Sequence, residues 1–216
     1  MLNNERLRIT EVFYSLQGES NSVGLPTVFV RLTGCPLRCN YCDTAYAFNG
    51  GEYFSLDEVV ERVAGYEPRY VTVTGGEPLA QAACLSLLTR LCDREYCVSL
   101  ETSGALPVAA VDSRVIKVMD LKTPSSTECE RNLFENIKQL QPQDQVKFVI
   151  ADQGDYDWSK QVMQQYQLAE RCQVLFSAVY AVMDNSCLAA WILRDNLPVR
   201  FQVQLHKYIW GDVPGR

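Results

Sequence analysis

The chain has 216 residues, 47% hydrophobic and 21% charged, with a formal net charge of −6. That composition suits one globular unit, residues 1–216, large enough to bury most of its unfolded surface. The acidic balance and the lack of a Lys/Arg-rich stripe disfavour direct nucleic-acid binding, and with no apolar run of about 18 residues no membrane span is expected.

The opening Met1-Leu-Asn-Asn-Glu-Arg-Leu-Arg lacks the apolar core of a signal peptide. With nine cysteines, an odd number, the chain reads as a reduced, cytoplasmic protein. In chain order, β-rich apolar runs predict strands over 7–14, 27–33, 70–75, 96–101, 115–121, 145–150, 172–177 and 199–205. Helical patterns fall over 55–66, 79–93, 129–140, 155–169 and 186–195. The first carries a capping box, Ser55-Leu-Asp-Glu58. Such alternation predicts an α/β fold of parallel β/α units. Six strands lie between 27 and 177, too few for a closed eight-stranded barrel. The expectation is therefore an open, six-stranded partial β/α barrel with strand extensions at both ends.

Cys35-Pro-Leu-Arg-Cys39-Asn-Tyr-Cys42 follows the second predicted strand. Three thiolates on one loop can hold three corners of an iron–sulfur cube, leaving one iron open. Zinc is the competing reading, but it takes a fourth Cys or His at short spacing. The next cysteine is Cys84, and the only histidine is His206. The six remaining cysteines, Cys84, Cys92, Cys97, Cys129, Cys172 and Cys187, read as small packed hydrophobes.

Further motifs fall at predicted strand ends, where ligands gather in such sheets. Thr74-Gly-Gly-Glu-Pro78 offers a close backbone approach at its glycines and a carboxylate, Glu77, able to accept from an ammonium group. Leu16-Gln-Gly-Glu19 and Arg31 offer amide, carboxylate and guanidinium groups suited to a purine-like or pterin edge and a carboxylate. Thr44, next to Asp43, offers a hard oxygen for Mg²⁺, or else a turn cap. Glu101-Thr-Ser-Gly104, Lys122-Thr-Pro-Ser-Ser126 and Gln204-Leu-His206-Lys207 complete the set.

The cysteine triple, with Tyr41 before its last member, matches the signature of radical S-adenosylmethionine (SAM) enzymes. Over nearly the whole chain, the motifs above, with Val28-Phe-Val-Arg31 and Gln145-Val-Lys-Phe-Val149, resemble the 7-carboxy-7-deazaguanine synthases of that superfamily. The resemblance implies a [4Fe–4S] cluster on Cys35, Cys39 and Cys42, with SAM on its open iron. It implies a SAM site of Tyr41, Cys42, Asp43, Gly76, Glu77, Lys122, Pro124, Ser125 and Ser177. It implies substrate contacts from Leu16, Gln17, Gly18, Glu19, Arg31, Thr74 and His206, and Mg²⁺ on Thr44. The implied reaction is radical ring contraction of 6-carboxy-5,6,7,8-tetrahydropterin with loss of ammonia, a carbon–nitrogen lyase step toward queuosine. A flavodoxin- or ferredoxin-like reductant and a homodimer are also implied. Two rivals remain: a glycyl-radical-enzyme activating protein, and a non-catalytic metal-binding module.

Overall fold

Nine strands form one sheet in the order β3-β1-β2-β4-β5-β6-β7-β8-β9 in this computed structural model, which describes residues 5–215. β1 (Arg6–Leu16) runs antiparallel to β2 (Pro26–Leu32) on one side and to β3 (Glu52–Ser55) on the other. From β2 onward the pairing is parallel, through β4 (Tyr70–Gly75), β5 (Cys97–Thr102), β6 (Ile116–Asp120), β7 (Gln145–Ile150), β8 (Gln173–Ala178) and β9 (Arg200–Gln202). The two end strands do not pair with each other, so the barrel is open as expected. The expected six-strand run is present, and β9 extends it to seven parallel strands.

The helices are α1 (Leu56–Ala64), α2 (Ala83–Asp93), α3 (Gln153–Tyr166), α4 (Leu168–Arg171), α5 (Asn185–Arg194) and α6 (Leu205–Trp210). The capping box of α1 forms as read: Ser55 accepts from Glu58 N, and Glu58 accepts from Ser55 N at 2.7 Å. Leu56, Val59, Val60 and Val63 give α1 its buried stripe, packed with Leu87, Leu88 and Leu91 of α2 against β1, β2 and β4. A second core gathers Phe148, Tyr156, Phe176 and Leu188 around β7 and β8.

Four predicted elements differ: the 155–169 helix is broken at Gln167, whose left-handed backbone separates α3 from α4, and in the other three a side chain takes over backbone hydrogen bonds. No α-helix spans 129–140; short 3-10 turns cover Cys129–Arg131 and Phe134–Gln139. The Asn132 side chain bonds Lys122 N and O, and Asn136 bonds Val108 N, Gly104 O and Leu106 O. Both asparagines pin this segment to neighbouring loops instead of leaving it free to coil. The 79–93 pattern splits into a 3-10 turn, Pro78–Ala80, and α2, because Gln81 is extended and its side chain holds Arg8 N, Arg8 O and Thr33 O. The predicted 199–205 strand ends at Gln202, whose amide bonds Ser20 N and O, and α6 begins at Leu205. Four-residue β3 carries too short a pattern to be seen in the sequence.

Cys84, Cys92 and Cys172 are buried as read, but Cys97, the first residue of β5, is exposed, and Cys129 and Cys187 are half-buried. No helix among the described residues is long and apolar enough to cross a membrane.

Candidate active site

The C-terminal ends of β2, β4, β5, β6 and β7 open onto one cavity of about 580 Å³. Parallel strands end together, so the loops after them converge there. Cys35, Cys39 and Cys42 line it from the loop after β2, and all three are half-buried. Burial pushes their thiols up, Cys39 to about 11, so it is metal binding that would supply the thiolate form.

The loop itself has little regular structure and is held from outside. Glu77 N donates to Gly34 O at 2.8 Å, Asn40 N to Ser126 O at 3.2 Å, and Arg38 N to Glu128 Oε1 at 2.6 Å. The hydroxyls of Tyr41 and Thr123 lie 3.0 Å apart. Gly76 presses against the loop so closely that a Cβ there would strike Gly34 O and the Cys35 side chain. A Cβ on Gly75, the last residue of β4, would likewise strike the Leu32 backbone, so both glycines are required by the approach of two backbones.

Three cysteines of one loop line the cavity together and are the kind of donor a cluster takes. A cube spreads its cysteine ligands over separate irons, whereas zinc draws four ligands onto one centre. The donor set at this loop is soft sulfur, which fits iron–sulfur binding.

Most of the residues assigned from sequence meet at this cavity. Leu16, Gln17, Gly18, Glu19, Arg31, Tyr41, Asp43, Thr44, Thr74, Gly76, Lys122 and His206 all line it. Glu77, Pro124, Ser125 and Ser177 do not. The fully buried Glu77 carboxylate accepts from Thr102 Oγ1, Ser103 N, Ser103 Oγ and Leu79 N. These bonds tie the end of β5 to the turn after β4. Ser125 N donates to Asp155 Oδ1 and its hydroxyl to Asp152 Oδ2, so it anchors the 3-10 turn Pro124–Ser126 onto α3. Ser177 Oγ is buried and has no hydrogen-bond partner among the described residues.

A charged network forms the floor, joining the assigned residues Glu19, Lys122 and Asp43 to Asp120 and Lys147, which carried no role in the sequence reading. Lys147 Nζ lies 2.6 Å from Glu19 Oε2 and 3.7 Å from Asp120 Oδ2, and Lys122 Nζ lies 2.8 Å from Asp120 Oδ2. Burial is the largest influence on the Glu19 carboxyl and would raise it, but the Lys147 ammonium, with smaller contributions from His206 and Gln204, holds it below the usual range. Burial and the negative charge of Glu19 push Glu101 the other way, above the usual range. Glu101 accepts from Gln17 Nε2 and Thr74 Oγ1. Gln204 Nε2 bridges Glu19 (2.7 Å) and Asp43 (3.2 Å), and Asp43 Oδ2 lies 3.1 Å from Lys207. The sequence signal for Glu101 and Asp120 was their position at or next to the C-terminal ends of β5 and β6, whereas Lys147 lies in the middle of β7 and had no such signal.

An open parallel sheet with a three-thiol loop at its strand ends defines the radical SAM class, and the radical SAM superfamily model matches residues 29–120. The chain is 45% identical over 208 residues to the 7-carboxy-7-deazaguanine synthase of Chlorobaculum tepidum, covering 95% of this chain and 94% of the relative. The enzyme of the same name from Koribacter versatilis is 41% identical, covering 94% of this chain and 97% of that one. The crystal structure of QueE from Escherichia coli shares the fold, with a TM-score of 0.77 at 21% identity over 93% of this chain and 95% of that one. The chain belongs to the 7-carboxy-7-deazaguanine synthase family.

Proposed function

We propose that the cavity converts 6-carboxy-5,6,7,8-tetrahydropterin to 7-carboxy-7-deazaguanine with release of ammonia. The observation that carries this is the convergence of two residue sets on one cavity: the three thiols and Gly76, with the pterin-reading set Gln17, Glu19, Arg31, Thr74 and His206. Cys35, Cys39 and Cys42 hold a [4Fe–4S] cluster, and SAM binds beside it near Tyr41, Asp43, Gly76 and Lys122. When bound, the cluster and SAM supply a 5′-deoxyadenosyl radical.

The chain's own groups do the rest. The Glu19 carboxylate presents an acceptor for a fused-ring edge, beside the Gln17 amide that donates to Thr72 and Glu101. Arg31 and His206 lie within the same cavity as candidates to grip the substrate carboxylate. Thr44 Oγ1, hydrogen-bonded to Asp43 Oδ1 at 2.9 Å, offers a hard oxygen that suits Mg²⁺ shared with substrate. A flavodoxin- or ferredoxin-like protein supplies the electron, and the enzyme works as a cytoplasmic homodimer.

The test is anaerobic incubation of reconstituted protein with SAM, reductant and the carboxylated tetrahydropterin. The reading predicts 7-carboxy-7-deazaguanine and ammonia in equal amounts. SAM cleavage that is insensitive to the pterin but stimulated by a glycyl-radical enzyme would favour the activating-protein alternative.

A further inference from the structure

Resting on the reading of Arg31 as a grip for the substrate carboxylate, we infer that Glu11 is the positioning residue that aims the Arg31 guanidinium into the cavity. The arrangement begins with a β-bulge. β1 pairs Ile9 with Leu32 but Glu11 with Arg31, so Thr10 is the extra residue. Side chains alternate along a strand, and one inserted residue reverses which parity faces the core. Before the bulge, Leu7 and Ile9 lie in the core; after it, Val12 packs against that core and Glu11 and Phe13 turn to the other face. Without the bulge, Thr10 would stand opposite Arg31. Bulges beside active sites commonly re-aim a side chain in this way.

The consequence is a fixed guanidinium. Arg31 Nε donates to Glu11 Oε1 at 2.7 Å, and Tyr46 OH donates to the same oxygen at 2.8 Å. The guanidinium sits 5.8 Å from the ring centres of Phe13 and of Tyr46. Phe13 itself stacks on Phe29 at 4.9 Å. Among the described residues, Nε is the only Arg31 side-chain nitrogen with a hydrogen bond, so the two terminal nitrogens remain available on the cavity side. Those two nitrogens form the fork that matches a carboxylate with two bonds. Glu11 thus occupies the one donor that a bidentate grip on a ligand does not need.

Glu11 also carries a negative charge that by itself repels an anionic ligand, so positioning and charge act in opposite directions and can be separated. Glu11→Ala removes both. Glu11→Gln keeps an oxygen that can accept from Nε and removes the charge. The probes are 6-carboxytetrahydropterin and tetrahydropterin lacking the carboxylate, titrated calorimetrically and anaerobically into reconstituted, SAM-bound enzyme. Glu11→Ala should weaken the carboxylated pterin about tenfold, the size of one lost charge-assisted bond, and leave the other pterin unchanged. Glu11→Gln should restore the carboxylated ligand to wild-type affinity or better. Tyr46→Phe, at an exposed ring outside the core, removes only the second donor and should give a smaller loss with the same selectivity, which keeps the test alive if Glu11→Ala does not fold.

Unchanged or tighter binding of the carboxylated pterin in Glu11→Ala, or equal loss of both pterins, overturns the inference. Failure of Arg31→Lys to weaken the carboxylated pterin overturns the underlying reading of Arg31. A loss in Arg31→Lys without one in Glu11→Ala overturns only the role of Glu11.

Discussion

The His206 imidazole lies directly against Gly18: any Cβ on residue 18 would land on Nδ1 of that ring. Leu205 N also donates to Gly18 O at 3.0 Å. The turn after β1 and the start of α6, nearly 190 residues apart, are thus packed together at the rim of the cavity. His206 occupies this place only because residue 18 has no side chain.

Gly18→Ala therefore displaces the imidazole rather than straining the backbone. Forcing one methyl into a packed site costs about 1–3 kcal/mol, part of it relieved by rotating the ring away. Affinity for the carboxylated pterin should fall about tenfold, an effect worth 1.4 kcal/mol. Iron per chain and SAM affinity should stay at wild-type values. Titration of each ligand into the reconstituted variant checks this.

Thr44→Val keeps the side-chain shape and removes the hydroxyl oxygen. If that oxygen binds Mg²⁺, the wild type is stimulated by added Mg²⁺ and the variant is not, with cluster content unchanged. Identical Mg²⁺ dependence in the two proteins would make Thr44 only the donor to Asp43 seen in the structure.

Lys147→Met tests the floor network through pH. In the wild type the Glu19 carboxyl is held below its ordinary value, so it stays ionised down to acidic pH. Without Lys147, burial, the largest influence on it, acts without its main opposing charge, and the carboxyl moves above its ordinary value. The stabilisation that ionised Glu19 gives the folded protein is present above the unfolded carboxyl pKa and is lost as pH falls through the lower, folded one. In the variant that sign reverses. The acid limb of pterin binding should shift toward neutral pH, measured as affinity against pH. An unmoved limb would remove Glu19 ionisation from the binding step.

A stability prediction lies away from the cavity. Lys117 Nζ lies 2.9 Å from Asp144 Oδ2, and both side chains are almost wholly buried. Asp144 also accepts from Lys117 N and Gln141 N at 2.8 Å each. Lys117→Met leaves a buried carboxylate without its counter-charge, at a cost of about 3–5 kcal/mol. The urea midpoint should fall markedly, while the ultraviolet–visible spectrum of any folded, reconstituted protein is unchanged.

The strand pattern was legible because buried parallel strands read as continuous apolar runs, and Val28–Val30 and Val174–Phe176 are of that kind. The cysteine loop and the Gly-Gly turn were legible because local spacing defines them. What escaped was set by distant partners. The bonds from Thr102 and Ser103 to the Glu77 carboxylate join residues 25 and 26 positions apart, which no local spacing announces. Residues 129–140 carry a helical pattern that Asn132 and Asn136 override through bonds to segments as much as 32 residues away. The role of Glu11 depends on a bulge, which shifts register without leaving a mark in composition.

The central claim is that the loop after β2 holds a four-iron cluster in this cavity, and iron per chain after anaerobic reconstitution measures it most directly. The wild type should carry about four irons, with broad absorption near 400 nm. Cys35→Ala, Cys39→Ala and Cys42→Ala should each carry almost none, while Cys84→Ala, altered within the core beneath α2, should load normally. Full iron loading in Cys39→Ala, or loss of iron in Cys84→Ala to the same degree, would contradict the account.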